Sequence, residues 1–288
     1  MDGSVPVLLS EAVAAYLEAI ARVRTENVVA NHISVSKRFL AFFSGRRYLN
    51  DLRRQDLLAF LDWFTHRRGA SYTANTFNLG LEFARRLGAF ARAQGWLEES
   101  PAEEIPFVVI EVVPPVTLTG AEMDRLIEAA RGDDLNRLLV GLLGEMGLKK
   151  QELVALQFAD LELESPAPLV VIRYSGKLQK KSRRLPLLGE LAAALRRYRE
   201  RRQARGTYSF LGPLVPITGR QVNNILVSLC KQAGIRRANP QILRDTAAVQ
   251  LLLAGRLPEE VAHQLGYTPR GYLLEFVPRF SRWMEPPS

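Results

Sequence analysis

The chain has 288 residues, 47% of them hydrophobic, enough to bury a core in each of two domains. Its formal charge of +9 favours an anionic partner without choosing between nucleic acid and an acidic membrane. The single cysteine, Cys230, excludes an intrachain disulfide and a cysteine-rich zinc site, and no window approaches a membrane span. With no cationic start or apolar run at the N-terminus, the expectation is a cytoplasmic chain without membrane contact, metal or cofactor.

Residues 10–21 carry the period of an amphipathic helix, with Val13, Tyr16, Leu17 and Ile20 on one face and Ser10 placed to cap it. A second helix over 28–43 ends at Gly45, and a third follows Asp51 with Leu57, Phe60, Leu61 and Phe64. The fourth starts after Ser71 or Thr73 and runs through Phe77, Leu81, Phe83, Leu87 and Phe90 to Gly95. No strand pattern intrudes, so residues 1–105 are expected to form a helical bundle. Residues 106–118, PFVVIEVVPPVTL, hold three prolines and no helical period, which suits an extended linker.

Thr119 and Glu122 then make a capping-box pattern that opens a second domain, residues 119–288. There 135–147 reads as a buried helix closed by glycine, continued by GLKKQELVAL to residue 156. A strand over 169–174, a basic turn GKLQKKS and a returning strand over 183–187 form a hairpin. Helices over 189–205 and 219–234 precede QILRDTAAVQLLLAGRLPEEVAHQLGYTPRGYLLEF, where Arg244 heads an apolar helix stopped by Gly255 and a second helix runs to Gly266. The fold class is therefore mainly α with a small antiparallel sheet (α+β). Lys and Arg number 13 against 12 acidic residues up to residue 105, and 26 against 18 beyond it. Residues 173–205 alone hold 12 basic and 2 acidic side chains, a net of +10.

The series Leu-Arg-x-Thr, Leu-Leu-x-x-Gly and Leu-Gly, with GLKKQEL upstream, resembles the signature of the tyrosine recombinase (phage integrase) family, its Xer-like members included. The stretch TANTFNLGLEFARRLGAFARAQGWLEESPAEEI resembles the end of that family's N-terminal core-binding bundle, so the likeness covers about residues 10–280. It implies a C-shaped DNA clamp built from a core-binding bundle and a tyrosine-recombinase catalytic-type domain. In the family a His-x-x-Arg pair opens the first signature helix, a histidine or tryptophan follows Leu-Gly, and a nucleophilic tyrosine comes nine residues later. Those places hold Gln241, Arg244, Tyr267 and Phe276, while the family's first arginine falls on Lys149 and its hairpin lysine on Lys177. The family's C-terminal helix docks on a neighbouring protomer; the tail VPRFSRWMEPPS is short for that.

Opening a phosphodiester without metal needs an in-line nucleophile, positive donors on the non-bridging oxygens and a proton for the leaving oxygen. Lys149 keeps the charge of the family arginine and loses its two-pronged fork. Gln241 donates a hydrogen bond without shuttling a proton, and Tyr267 offers a phenol in place of a ring N–H. Phe276 has no oxygen, so a 3′-phosphotyrosyl bond cannot form on it. Tyr272 stands four residues earlier, about 6 Å along the same face of a helix, although Pro269-Arg270-Gly271 reads as a turn. None of His32, His66 and His263 aligns with a catalytic position, and His263 is expected to be structural. The expectation is a double-stranded-DNA-binding member impaired in strand cleavage, with phosphate contacts from Lys37, Arg38, Arg85, Arg86, Arg92, Lys180, Lys181, Arg183 and Arg184. Its partners are then DNA and, on it, an active recombinase or further copies of the chain. The rival readings are an active recombinase using Tyr272 or Tyr267, and an interaction module that has lost DNA binding.

Overall fold

The computed structural model describes residues 6–24, 26–44, 46–66, 73–173, 182–187 and 189–284. The chain divides into two compact units, one reaching Glu111 and one beginning at Val112. The division falls within residues 106–119, which carry neither helix nor strand.

The first unit contains α1 (Leu9–Val23), α2 (Glu26–Phe43), α3 (Arg54–His66) and α4 (Ala74–Ala93). Their apolar stripes meet in one core, where Phe39 stands edge-on to Phe60 and Phe83 at 5.0 and 5.3 Å, the geometry that aromatic quadrupoles favour. Ser10 does not cap α1; Leu8 is the cap residue, and the Leu9 N–H donates to the Arg47 carbonyl at 2.8 Å instead. The helix start is held by a neighbouring turn, which a local capping pattern cannot reveal. Thr73 caps α4 by accepting the Thr76 N–H, while Ser71 and Gly45 lie outside the described residues. After α4 the chain turns back on it. Arg85 donates to the carbonyls of Ala102, Glu103 and Ile105, and Asn78 exchanges two hydrogen bonds with Val108 at 2.8 and 2.9 Å.

In the second unit α5 (Gly120–Ala130) starts on the reciprocal Thr119–Glu122 box. The single helix expected over 135–147 is instead α6 (Asp134–Val140) followed by a wide, π-type turn over Gly141–Glu145. Met123 packs closely against this turn: a Cβ on Gly144 would lie 2.4 Å from Met123 Cε. α7 (Lys150–Ala155) follows, then a sheet of β1 (Leu161–Glu162), β2 (Leu169–Arg173) and β3 (Ser182–Pro186), antiparallel in the order β1-β2-β3. β1 was not expected. Val170 pairs with Leu185 and Ile172 with Arg183.

α8 (Gly189–Ala204), α9 (Gly219–Gln232), α10 (Pro240–Leu253) and α11 (Pro258–Leu265) complete the main body. Residues 269–271, expected as a turn, form a short helix α12 (Pro269–Gly271) that runs through a π-type turn (Tyr272–Phe276) into α13 (Val277–Phe280). Thr268 caps it by accepting the Gly271 N–H at 3.0 Å, and Pro269 sits at the first position, where a missing N–H costs nothing. The large core joins α5, α6, α7, α8, α9 and the sheet, and a smaller one joins α10, α11, Phe276 and Phe280. Among the described residues no helix is long and apolar enough to cross a membrane.

Candidate functional site

The site is built on the first turns of α10. Asn239 accepts the Ile242 N–H at 2.9 Å and Pro240 fixes the first helical residue, which sends Gln241 and Arg244 out along one side. They face the start of α7 across a cleft of about 310 Å³ lined by Lys149, Lys150, Asn223, Asn239, Pro240, Gln241 and Arg244. Three of the family-aligned positions, Lys149, Gln241 and Arg244, are thereby brought together. Lys177, Lys180 and Lys181 lie outside the described residues.

Arg244 is 4% exposed, and its guanidinium donates to the carbonyls of Gly147 at 2.5 Å and Leu265 at 2.6 Å. Both carbonyls depend on glycine. Gly147 has φ +72°, and a Cβ there would stand 2.3 Å from Leu265 Cδ2. Gly266, at φ +76°, ends α11 in the left-handed conformation and turns Tyr267 towards Arg244, whose Cζ lies 5.6 Å from the ring centroid. Burial raises the Tyr267 pKa, and the Arg244 charge beside the hydroxyl opposes it. Lys149 is solvent-exposed at its surface but closely surrounded. That desolvation, then the Arg244 charge, lower its pKa against the pull of Glu152.

Arg183 departs from its expected role. It is 3% exposed on the inward face of β3, donating to both oxygens of Glu152 at 2.9 and 2.8 Å and to the Gln264 carbonyl at 2.8 Å. Glu152 in turn accepts the Lys149 N–H at 2.8 Å. Burial pushes the Glu152 carboxyl up, but the hydrogen bonds and charge of Arg183, with the Lys149 amide, outweigh it and hold the pKa below the ordinary range. Arg183 is a buried strut beneath Lys149, not a surface phosphate contact. Strand alternation is the reason, since Leu185 points inward and position 183 must follow it.

Phe276 is 0% exposed, its ring packed against Tyr267 at 5.3 Å, Tyr272 at 5.8 Å and Phe280 at 4.8 Å. The Tyr272 hydroxyl donates to Glu259 on α11 at 2.7 Å, and that bond is the main cause of its raised pKa. None of Tyr267, Tyr272 and Phe276 lines the cleft. Of the two tyrosines weighed as substitute nucleophiles, the one whose phenol stands by Arg244 is Tyr267.

Sequence reasoning missed Lys150, Asn223, Asn239, Asp245 and Arg279. Gln241 Nε2 donates to Asp245 at 2.9 Å, and Arg279 of α13 donates to the other Asp245 oxygen at 2.5 Å. A carboxylate directly after Arg244 in an apolar helix was a visible signal, whereas Asn223 gave none. On the first unit Lys37 and Arg38 are exposed on α2, with Arg38 over the Phe64 ring. Arg86 pairs with Glu82 and Arg92 with Glu103, exposed contacts weak enough for a phosphate to displace. Arg184 pairs with Glu162 in the same way. Arg85, expected on the DNA surface, is half-buried with its guanidinium on three carbonyls, so it anchors the returning chain. His32 is buried on the Tyr16 hydroxyl at 2.9 Å and His263 is exposed on α11. Among the described residues no group of three His, Cys, Asp or Glu could hold a metal ion.

Comparison with known proteins adds the family. Residues 117–270 match the model of the phage integrase family. The tyrosine recombinase XerC of Roseiflexus castenholzii is 30% identical over 284 residues, covering 90% of this chain and 86% of the relative. A tyrosine recombinase of Pseudothermotoga lettingae is 26% identical over 255 residues, covering 88% and 87%. The fold is that of a lambda integrase dimer bound to a COC′ core site (TM-score 0.70, 16% identity, 91% and 96% of the two chains). It is also that of the Tn1549 transposon integrase in complex with transposon right end DNA (TM-score 0.70, 19% identity, 94% and 94%).

Proposed function

This chain belongs to the phage integrase family of tyrosine recombinases, and from that premise we propose that it binds double-stranded DNA while lacking the family's strand-cleaving step. The observation that carries the reading is Phe276: the ring aligned with the nucleophile has no oxygen and is wholly buried, packed behind Tyr267, whose ring meets the Arg244 of a cleft that keeps Lys149. Loss of one oxyanion donor slows such chemistry by about 100- to 1,000-fold, whereas loss of the attacking atom removes the covalent route.

The division of labour follows from the same geometry. Arg244 and Lys149 supply positive charge to a backbone phosphate, and Tyr267 supplies a phenolic donor where the family has a ring N–H. Residues 1–105 serve as the core-binding bundle, 106–118 as the connector and 119–288 as the catalytic-type unit, with Lys177 at the hairpin lysine. Lys37, Arg38, Arg86, Arg92 and Arg184 add sequence-independent affinity from exposed positions. The lambda and Tn1549 integrases are seen on DNA, the latter in a form carrying a tyrosine-to-phenylalanine change, which supports duplex binding without every phenol in place.

Two measurements test the proposal. Filter binding to duplex DNA over a range of salt should give tight association whose logarithm falls linearly with the logarithm of salt; no binding at low salt rejects the DNA reading. A nicked suicide duplex should trap no covalent complex. A trapped complex that disappears in Tyr267→Phe restores the rival reading of an active recombinase, and Tyr272→Phe serves as the control.

A further inference from the structure

Asp245 follows Arg244 directly, is 3% exposed, and engages both oxygens: Oδ1 accepts from Gln241 at 2.9 Å and Oδ2 from Arg279 at 2.5 Å. Arg279 belongs to the tail, three residues beyond Phe276. The tail is seated on its own unit, with Phe276 and Phe280 in one apolar cluster with Ala248, Val249 and Leu252 of α10. Burial pushes the Asp245 carboxyl up, and Arg279, followed by Gln241, opposes it. The charge of Asp245 is felt at Tyr267, and that of Arg244 at Asp245, so the carboxylate belongs electrically to the group around Arg244.

A phosphodiester brings a negative charge to Arg244, and a bare carboxylate on the adjacent residue repels it. We infer that Arg279 is a positioning residue for phosphate binding: it cancels Asp245, steadies the Gln241 amide through that carboxylate, and so makes the cleft's affinity for DNA depend on the tail being seated in cis. The inference rests on the DNA-binding reading above and goes beyond it, since it assigns a part in binding to a segment past the signature.

A latch that served packing alone would alter stability and leave the affinity of the folded chain unchanged. Electrostatic positioning instead makes affinity follow the net charge of the pair. The test uses the full chain and a mixed-sequence duplex at low salt and about pH 9, because burial pushes the Asp245 carboxyl up and Arg279 is what chiefly opposes it, with melting curves run alongside. Arg279→Ala should weaken binding by roughly three- to tenfold, and Arg279→Lys should stay near wild type. Adding Asp245→Asn to Arg279→Ala should bring affinity back to within about twofold of wild type, which a lost packing contact would not allow. Unchanged affinity in Arg279→Ala, or no recovery in the double variant, overturns the inference while the wild type still binds DNA. Should Arg279→Ala not fold, Asp245→Asn alone decides: binding at least as tight as wild type supports the inference, and weaker binding overturns it. A wild type that binds no DNA at all removes this inference together with the reading beneath it.

Discussion

Arg183 and Arg184 are neighbours on β3 and face opposite environments. The Arg183 guanidinium is sealed on Glu152, whereas Arg184 meets Glu162 in solvent. Removing one partner of a buried pair leaves the other charge uncompensated, so Arg183→Ala should cost about 3–5 kcal/mol in urea unfolding. Arg184→Ala should change stability by less than about 1 kcal/mol and instead reduce the salt dependence of DNA binding. Equal losses of stability in the two variants would contradict the assignment. The inward aim of Arg183 was legible, because Leu185 two residues on had to face the core, but dense positive charge masked the alternation. Arg244 and Phe276 were singled out through the resemblance to the family signature, whose spacing they keep. The Asp245–Arg279 pair was not, since its members are separated by a chain reversal that no local period encodes.

The short turn from the π-type segment Gly141–Glu145 into α7 supplies one of the two carbonyls that hold the Arg244 guanidinium, the other being Leu265 at the end of α11. Its Gly147 carbonyl accepts from Arg244, at a backbone angle and a distance from Leu265 that only glycine tolerates. Gly147→Ala should therefore destabilise the chain by about 1–3 kcal/mol and also weaken DNA binding by displacing that carbonyl. Thermal unfolding and filter binding check the two effects, and an unchanged Tm would refute the geometry. The long helices were readable because their apolar periods are sustained over several turns. The wide turns were hidden because apolar residues continue through them, and β1 is two residues long, too short to show alternation. The helix over Pro269–Gly271 was obscured by its own composition: proline and glycine spell a turn unless Thr268 is recognised as the cap.

Across the molecule, the basic stretch 173–205 carries less free charge than its composition suggests. Arg173, Arg183, Arg184, Arg199 and Arg201 are ion-paired with Asp160, Glu152, Glu162, Glu164 and Asp134 respectively. Every one of those carboxylates comes from outside the stretch, so a count along the sequence could not foresee the neutralisation. One contact joins distant parts of the second unit: the buried Thr246 hydroxyl accepts the Leu118 N–H at 2.9 Å and donates to the Ile242 carbonyl at 2.8 Å. Thr246→Val keeps the shape and orphans the Leu118 amide, and should cost about 1–3 kcal/mol with faster hydrogen exchange at that amide. Exchange as slow as in wild type would deny the link. The incoming chain is tied to the unit at the Thr117 carbonyl, which accepts from Arg236, and at the Leu118 amide, whose anchor lies two residues from Arg244. Strain applied at residue 118 is therefore passed, through one hydroxyl, to the first turns of α10, the helix that carries Gln241 and Arg244.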